Sequence, residues 1–203
     1  MPSRRRLLST GLAAALFGGA AAAARAQDAA LALLPEPDDW RTPRVVPVQP
    51  TLAANEIHVD PDRFFLYWTL GFGEAIRYAV GIGRPGLYEP GIFYVGAKKE
   101  WPSWTPTPSM IEREPEKYAR WADGMPGGPD NPLGARALYL FTPERGDTFL
   151  RIHGTNAPET IGTAVSNGCA RLLNEHIIDL YDRVPEGAAV YLYPKAGTAD
   201  YGA

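Results

Sequence analysis

Glycine and proline interrupt this chain so often that long helices are excluded over most of its length. Gly (21) and Pro (20) separate short apolar runs rich in aromatic and β-branched residues, the pattern of strands joined by turns. Glu56-Ile57-His58-Val59 reads as a short strand closed by the turn Asp60-Pro61-Asp62-Arg63. The run from Phe64 to Leu70, the break Gly71-Phe72-Gly73 and the run from Ala75 to Gly81 read as an antiparallel meander. Further strands are expected at 91–96, 135–141, 148–153 and 189–193. The stretch 101–108 cannot be regular structure, because its three prolines remove ladder donors, and 124–134 reads as a long loop. A short helix is expected within 110–121. One clear helix is expected over 174–184, where Ile177, Ile178, Leu180, Tyr181 and Val184 recur at helical spacing and Asn174 suits an N-cap. The sum is a mostly β domain with one or two short helices.

The first 26 residues do not read as part of that domain. Ser3-Arg4-Arg5-Arg6 is a basic head, an Ala-rich apolar run follows to Ala24, and Ala24-Arg25-Ala26 offers small residues at the positions a signal peptidase reads. The segment is expected to be an export signal of twin-arginine character, cleaved after Ala26, and to send the protein to the periplasm. The rival reading is a membrane anchor, because the run is about long enough to span; no other stretch is apolar enough, so cleavage leaves no stable transmembrane segment. Residues 27–54 hold Pro35, Pro37, Pro43, Pro47 and Pro50 and read as an extended leader on the domain surface or partly disordered. The domain itself is expected at 55–194, with a tail at 195–203.

Loss of the signal removes four arginines and no acids, leaving 16 basic against 23 acidic residues and a net charge of −7. An acidic chain without a basic stripe argues against nucleic acid as a partner. The single cysteine, Cys169, is more informative. Export places it in an oxidising compartment, where thiols are usually paired or absent, so an unpaired one suggests that the thiol is used. An inert buried Cys is the alternative.

The run from Arg151 to Arg171 reads R-I-H-G-T-N-A-P-E-T-I-G-T-A-V-S-N-G-C-A-R. His153 ends a strand, and Cys169 follows Ser166-Asn167-Gly168 just ahead of the expected helix. Three features are expected to lower the thiol pKa: a His base, the nearby helix N-terminus and the charge of Arg171. Gly168 permits close backbone approach, so its N–H and that of Cys169 are candidates for an oxyanion hole. On these residues alone, His153 as a turn residue and Cys169 as core filler remains open. Cysteine and histidine are not clustered at zinc spacing, and no metal or other cofactor is implied.

The same stretch resembles the L,D-transpeptidase (YkuD) catalytic domain, whose signature is H-G-T followed by [S/T]-x-G-C-x-R. His153-Gly154-Thr155 and Ser166-Asn167-Gly168-Cys169-Ala170-Arg171 carry the likeness. The flanks Asn156, Pro158, Ile161-Gly162, Asn174, Leu180-Tyr181 and Val184 extend it, as do 78–84, 100–110 and 127–138. The resemblance implies a β-sandwich or barrel of mixed strands. It implies Cys169 as nucleophile, His153 as general base, and the Gly154 carbonyl as the group that orients the imidazole in place of a triad carboxylate. It also implies Arg171 as holder of a substrate carboxylate, with Ser166, Asn167 and Gly168 shaping the turn on the oxyanion and substrate side. The implied reaction is acyl transfer on peptidoglycan stem peptides. The thiolate attacks the diaminopimelate carbonyl and expels D-Ala, and an amine then takes the acyl group. The acceptor amine makes a 3→3 cross-link or anchors an outer-membrane protein or lipoprotein; water as acceptor would give an L,D-carboxypeptidase. Asn167 replaces the His or Ser frequent there, Ala170 and Leu172 replace Ile and Met, and Ala188 replaces the Thr of a G-T-x-V pattern. None of these removes a reacting group.

Rival functions are weaker. Papain-like and NlpC-like peptidases run Cys before His, and sortases carry a different Cys motif at wider spacing. A non-catalytic wall-binding module is opposed by the retention of His153, Cys169 and Arg171 together. His58 and His176 are expected at or near the surface, Trp101, Trp104 and Trp121 as packing residues or a groove lining, 131–136 as a loop bordering the site or a structural turn, and Glu112, Glu114 and Glu116 as a solvated face.

Overall fold

The β-type runs take their places in one nine-stranded mixed sheet. The computed structural model describes residues 39–196; the expected signal, the first part of the expected leader (27–38) and most of the tail lie outside the described residues. The strands are β1 (Arg44–Pro47), β2 (Ile57–Asp60), β3 (Phe65–Gly71), β4 (Glu74–Ala79), β5 (Ile82–Gly83), β6 (Gly91–Glu100), β7 (Arg136–Thr142), β8 (Gly146–His153), β9 (Ala164–Ser166), β10 (Ala170–Arg171) and β11 (Ala189–Leu192). The large sheet runs β1-β4-β3-β2-β11-β6-β7-β8-β10, and β5 pairs with β9 in a two-stranded sheet. Most neighbours are antiparallel, but β11 runs parallel to β2 and β10 parallel to β8. This is the mostly β, mixed-strand architecture expected from the pattern, with few and short helices.

Alternation of side chains explains the packing. Ile57, Val59, Leu66, Trp68, Ile76 and Tyr78 turn inward and join Val95, Leu138, Leu140, Ile152 and Val190 in one core. The helix α3 (Asn174–Arg183) closes this core with His176, Ile177 and Leu180. Lys98 donates from Nζ to the carbonyls of Tyr181 and Val184, 2.6 Å each, and so satisfies two orphan acceptors at the end of α3.

Several local readings differ from expectation. The 110–121 helix is split into α1 (Pro108–Arg113) and α2 (Pro115–Tyr118), followed by a 3-10 turn at Ala119–Trp121. Pro115 cannot continue α1, but it fits the first position of α2. Within the expected leader, Arg44–Pro47 forms β1 on the sheet edge against β4, where the missing N–H of Pro47 is tolerated. His176 is buried beside Tyr78 rather than at the surface. His58 is also buried, bonded to Tyr193 and Glu56 and stacked on Tyr191.

Candidate active site

Two short parallel strands bring the sequence-predicted residues together. Ala170 of β10 lies opposite Ile152 of β8, and Arg171 lies opposite His153. Ala170 and Ile152 point into the core, so by alternation His153, Arg171 and the preceding Cys169 share the other face. The 16-residue separation in sequence is thereby reduced to neighbouring strands.

His153 is buried. Its Nδ1 lies 2.6 Å from the Gly154 carbonyl. A carbonyl only accepts, so Nδ1 carries the proton and Nε2 keeps the lone pair. Burial is the main cause that holds the imidazole pKa down, to about 3, and the positive charges of Arg171 and Arg151 add to it; the Gly154 and Leu133 carbonyls oppose it.

Cys169 is partly exposed as a residue, yet its thiol sits against the backbone of β8, 4.0 Å from the Phe149 carbonyl. Burial pushes the thiol pKa up, opposed by the Arg151 backbone and by the charges of Arg151 and Arg171. The expected lowering is thus outweighed by desolvation. The helix N-terminus contributes less than the sequence suggests, because β10 and Leu172–Leu173 separate Cys169 from α3. Burial thus favours the uncharged form of both the thiol and the imidazole.

The turn before Cys169 is pinned by Ser166. Its Oγ donates to the Cys169 carbonyl (2.6 Å) and accepts from the Gly168 N–H (3.2 Å). That bond occupies the Gly168 N–H, one of the two expected oxyanion donors, and leaves the Cys169 N–H as the candidate. Gly168 has φ +123°, and an added Cβ would lie 2.9 Å from the Leu87 carbonyl, so only glycine fits.

Arg171 exchanges two 2.8 Å backbone bonds with Gly81. Its Nε and Nη2 are buried without a hydrogen-bond partner among the described residues. A buried guanidinium with unpaired donors suits an anionic group.

The structure adds Arg84, Arg113 and Tyr118 around Asn167, which the sequence reading had placed at the site. Asn167 Oδ1 accepts from Arg84 and Arg113 (Nη2, 3.2 Å each), and its Nδ2 donates to the Tyr118 hydroxyl (3.0 Å). Arg84 is also paired with Glu114 at 2.5 Å, which takes Glu114 out of the expected solvated face. Asn167 thus ties α1 and α2 to the nucleophile turn, through an acceptor and a donor on one amide. Trp104 packs edge-on against Tyr118, whereas Trp101 is exposed. Asn131 is buried within its own turn, donating to the Pro126 carbonyl and accepting from the Leu133 N–H, 2.9 Å each.

A family model for the L,D-transpeptidase catalytic domain (YkuD) matches residues 54–192. The chain belongs to this family. A Fuscovulum blasticum protein named for an L,D-transpeptidase in the ATP synthase subunits region (ORF 5) is 34% identical over 93% of this chain and 96% of its own length. ErfK/SrfK of Escherichia coli K12, named a probable L,D-transpeptidase, is 38% identical over 57% of this chain. That match spans 36% of the E. coli protein, so the chain covers little more than a third of this relative.

Among solved structures, a Brucella melitensis protein named a probable carnitine operon oxidoreductase (caia) is 41% identical, with a TM-score of 0.52 over 85% of this chain and 98% of its own. An L,D-transpeptidase from Mycobacterium smegmatis, 18% identical, shares the fold with a TM-score of 0.50 over 68% of this chain and 58% of its own. The glycine spacing of Gly81-Ile82-Gly83-Arg84-Pro85-Gly86 is that of a dinucleotide loop. It leads from β5 into the turn before β6 rather than into a helix, so it lacks the helix N-terminus on which a pyrophosphate sits.

Proposed function

We propose that this L,D-transpeptidase family member is an exported enzyme that cross-links or anchors through peptidoglycan stem peptides by way of a Cys169 thioester. The observation that carries the proposal is the juxtaposition of His153 and Arg171 on paired strands, with Cys169 on the same face. A substrate carboxylate bound on the unpaired donors of Arg171 neutralises one of the charges that depress the imidazole and so raises the basicity of His153 at the moment of binding. His153 Nε2 then takes the Cys169 proton as Sγ attacks the diaminopimelate carbonyl. The developing oxyanion is met by the Cys169 N–H. Collapse breaks the amide bond, His153 returns the proton to the departing D-Ala amine, and a thioester remains. An acceptor amine attacks the thioester and gives up its proton, the new amide forms, and the thiol is regenerated. The export route and the acceptor, including an outer-membrane protein or lipoprotein, belong to this proposal and rest on the basic, Ala-rich N-terminus and on the family.

The test is incubation of residues 27–203 with a disaccharide-tetrapeptide, with products read by mass. A cross-linked dimer with free D-Ala is expected. Tripeptide alone would make the protein a carboxypeptidase, and absence of any product would leave a binding module. A Cys169→Ala variant that still releases D-Ala would overturn the mechanism.

A further inference from the structure

Asn174 stands where the sequence suggests a helix N-cap, but it does not cap. The cap position of α3 is Leu173, without a side-chain bond, and Asn174 is the first helical residue. Its side chain turns to the catalytic face, where Oδ1 accepts from the Ala135 N–H (3.0 Å) and the Thr155 N–H (3.2 Å). These two donors come from segments far apart in sequence, the end of the 131–135 loop and the turn after β8.

Both segments are built to admit this oxygen. A Cβ added to Gly134 or to Gly154 would lie 2.2 Å from Asn174 Oδ1, and the Gly134 backbone has φ +63°. Either substitution would expel the oxygen or break the turn. The two segments also bracket the His153 ring. The Gly154 carbonyl receives the Nδ1 proton, and the Leu133 carbonyl acts on the same ring. The far end of the loop is fixed by Asn131, whose Oδ1 accepts from the Leu133 N–H at 2.9 Å. The Gly154 N–H is spent on the Arg136 carbonyl at 3.0 Å. The Asn156 Nδ2 bond to the Asp130 carbonyl (2.7 Å) ties the outer ends of the two segments, and between that bond and the Gly154–Arg136 bond Asn174 Oδ1 bridges them by accepting from both.

We propose that Asn174 is a positioning residue for the His153 base, because its one carbonyl oxygen clamps together the two backbone segments that hold the imidazole. This rests on the reading of His153 as general base. Without the clamp, the Gly154 carbonyl and the 131–135 loop shift relative to each other, the Nδ1 bond lengthens, and the imidazole loses its fixed orientation. The charged groups acting on the ring are Arg171 on β10 and Arg151 on its own strand, with Cys169 the other titratable group nearby; the loop contributes a backbone carbonyl.

The discriminating experiment compares wild type, Asn174→Ala, Asn174→Asp and His153→Gln by D-Ala release from disaccharide-tetrapeptide across pH, with Tm measured in parallel. Aspartate keeps the two-bond acceptor and adds a negative charge near the imidazole. The Asp variant is therefore expected to retain kcat within a few-fold while the acid limb of kcat/KM moves to higher pH. The Ala variant is expected to lose about tenfold to a hundredfold in kcat with little change in KM, as misplacement of a catalytic group does. The inference is overturned if the Ala variant is folded and keeps wild-type kcat. It is equally overturned if the Asp variant loses as much as Ala, or if its acid limb does not move. Should the Ala variant not fold, the Asp arm alone decides. An unimpaired His153→Gln would instead sink the base reading itself, so the two failures are distinguishable.

Discussion

Arg171 lies opposite His153 in the parallel register of β10 and β8, and the two side chains oppose each other electrostatically. The guanidinium is one of the charges that depress the imidazole, and burial keeps two of its own donors unfilled. In the proposed mechanism those donors take the substrate carboxylate. Arg171→Met should raise KM by about tenfold to a hundredfold, because a charge-assisted hydrogen bond contributes about 1.5–3 kcal/mol. It should also shift the acid limb of the residual kcat/KM upward in pH, since a charge that depresses His153 is gone. Steady-state kinetics across pH check both, and an unchanged KM would rule out Arg171 as the carboxylate receptor.

Burial raises the thiol pKa of Cys169 and lowers the imidazole pKa of His153, both in the direction that disfavours a thiolate–imidazolium pair before substrate arrives. Iodoacetamide is expected to alkylate Cys169 at neutral pH no faster than a free thiol. Addition of a non-hydrolysable stem-peptide analogue with a free carboxylate should leave the pair better poised, visible as faster acylation by a thioester-forming probe. Rapid alkylation of the free enzyme, measured by intact mass, would show that desolvation does not dominate at Sγ.

His153 also ties stability to pH. Its folded pKa of about 3 lies below the unfolded value of about 6.5. Between these values the unfolded chain binds more protons, so stability falls as pH falls through that window. The slope from this residue approaches about 1.4 kcal/mol per pH unit. His153→Gln should flatten the dependence of Tm on pH between roughly 6 and 4, measured by thermal melts at constant ionic strength. An identical slope in the variant would mean that other groups govern acid unfolding.

Gly168 is closed to a side chain on two counts. A left-handed φ of +123° and a Cβ 2.9 Å from the Leu87 carbonyl predict that Gly168→Ala costs about 1–3 kcal/mol in strain. Because the same turn carries Cys169 and the Ser166 bonds, kcat should fall with stability. Urea denaturation together with D-Ala release separates the two losses; wild-type values for both would show that the turn accepts a side chain.

The strands that carry the core were legible because their apolar runs are bounded by Gly and Pro and alternate between faces. β2, β3, β4, β7, β8 and β11 fall within a few residues of their expected limits, and α3 announces itself through helical spacing. What the sequence hides is short or side-chain driven. β5, β9 and β10 span two or three residues each, too few for any periodicity to register. β1 is masked by the prolines around it. At the site, the spacing of His153 and Cys169 marks the pair, but the direction of the thiol shift depends on burial, which no local pattern encodes. Asn167 reads as a departure from the family pattern in one dimension; in three it is a junction between elements up to 83 residues apart.

That junction yields the last prediction. Asn167 offers one acceptor to Arg84 and Arg113 and one donor to Tyr118, so the α1–α2 segment is held to the turn before Cys169 through polar groups rather than a large apolar seam. Neither helix is long enough to be stable alone. α1 buries no residue, and α2 buries only Tyr118. Asn167→Ala should therefore release residues 108–121 locally without unfolding the core, since such openings draw on few buried contacts. Amide hydrogen exchange is expected to accelerate across 108–121 and to stay unchanged in β2, β6 and β7. Asn167→Asp keeps the acceptor for both arginines and should leave most of the protection in place. Unaltered exchange over 108–121 in the Ala variant would mean that the Arg84–Glu114 pair and the Trp104–Tyr118 contact hold the segment by themselves.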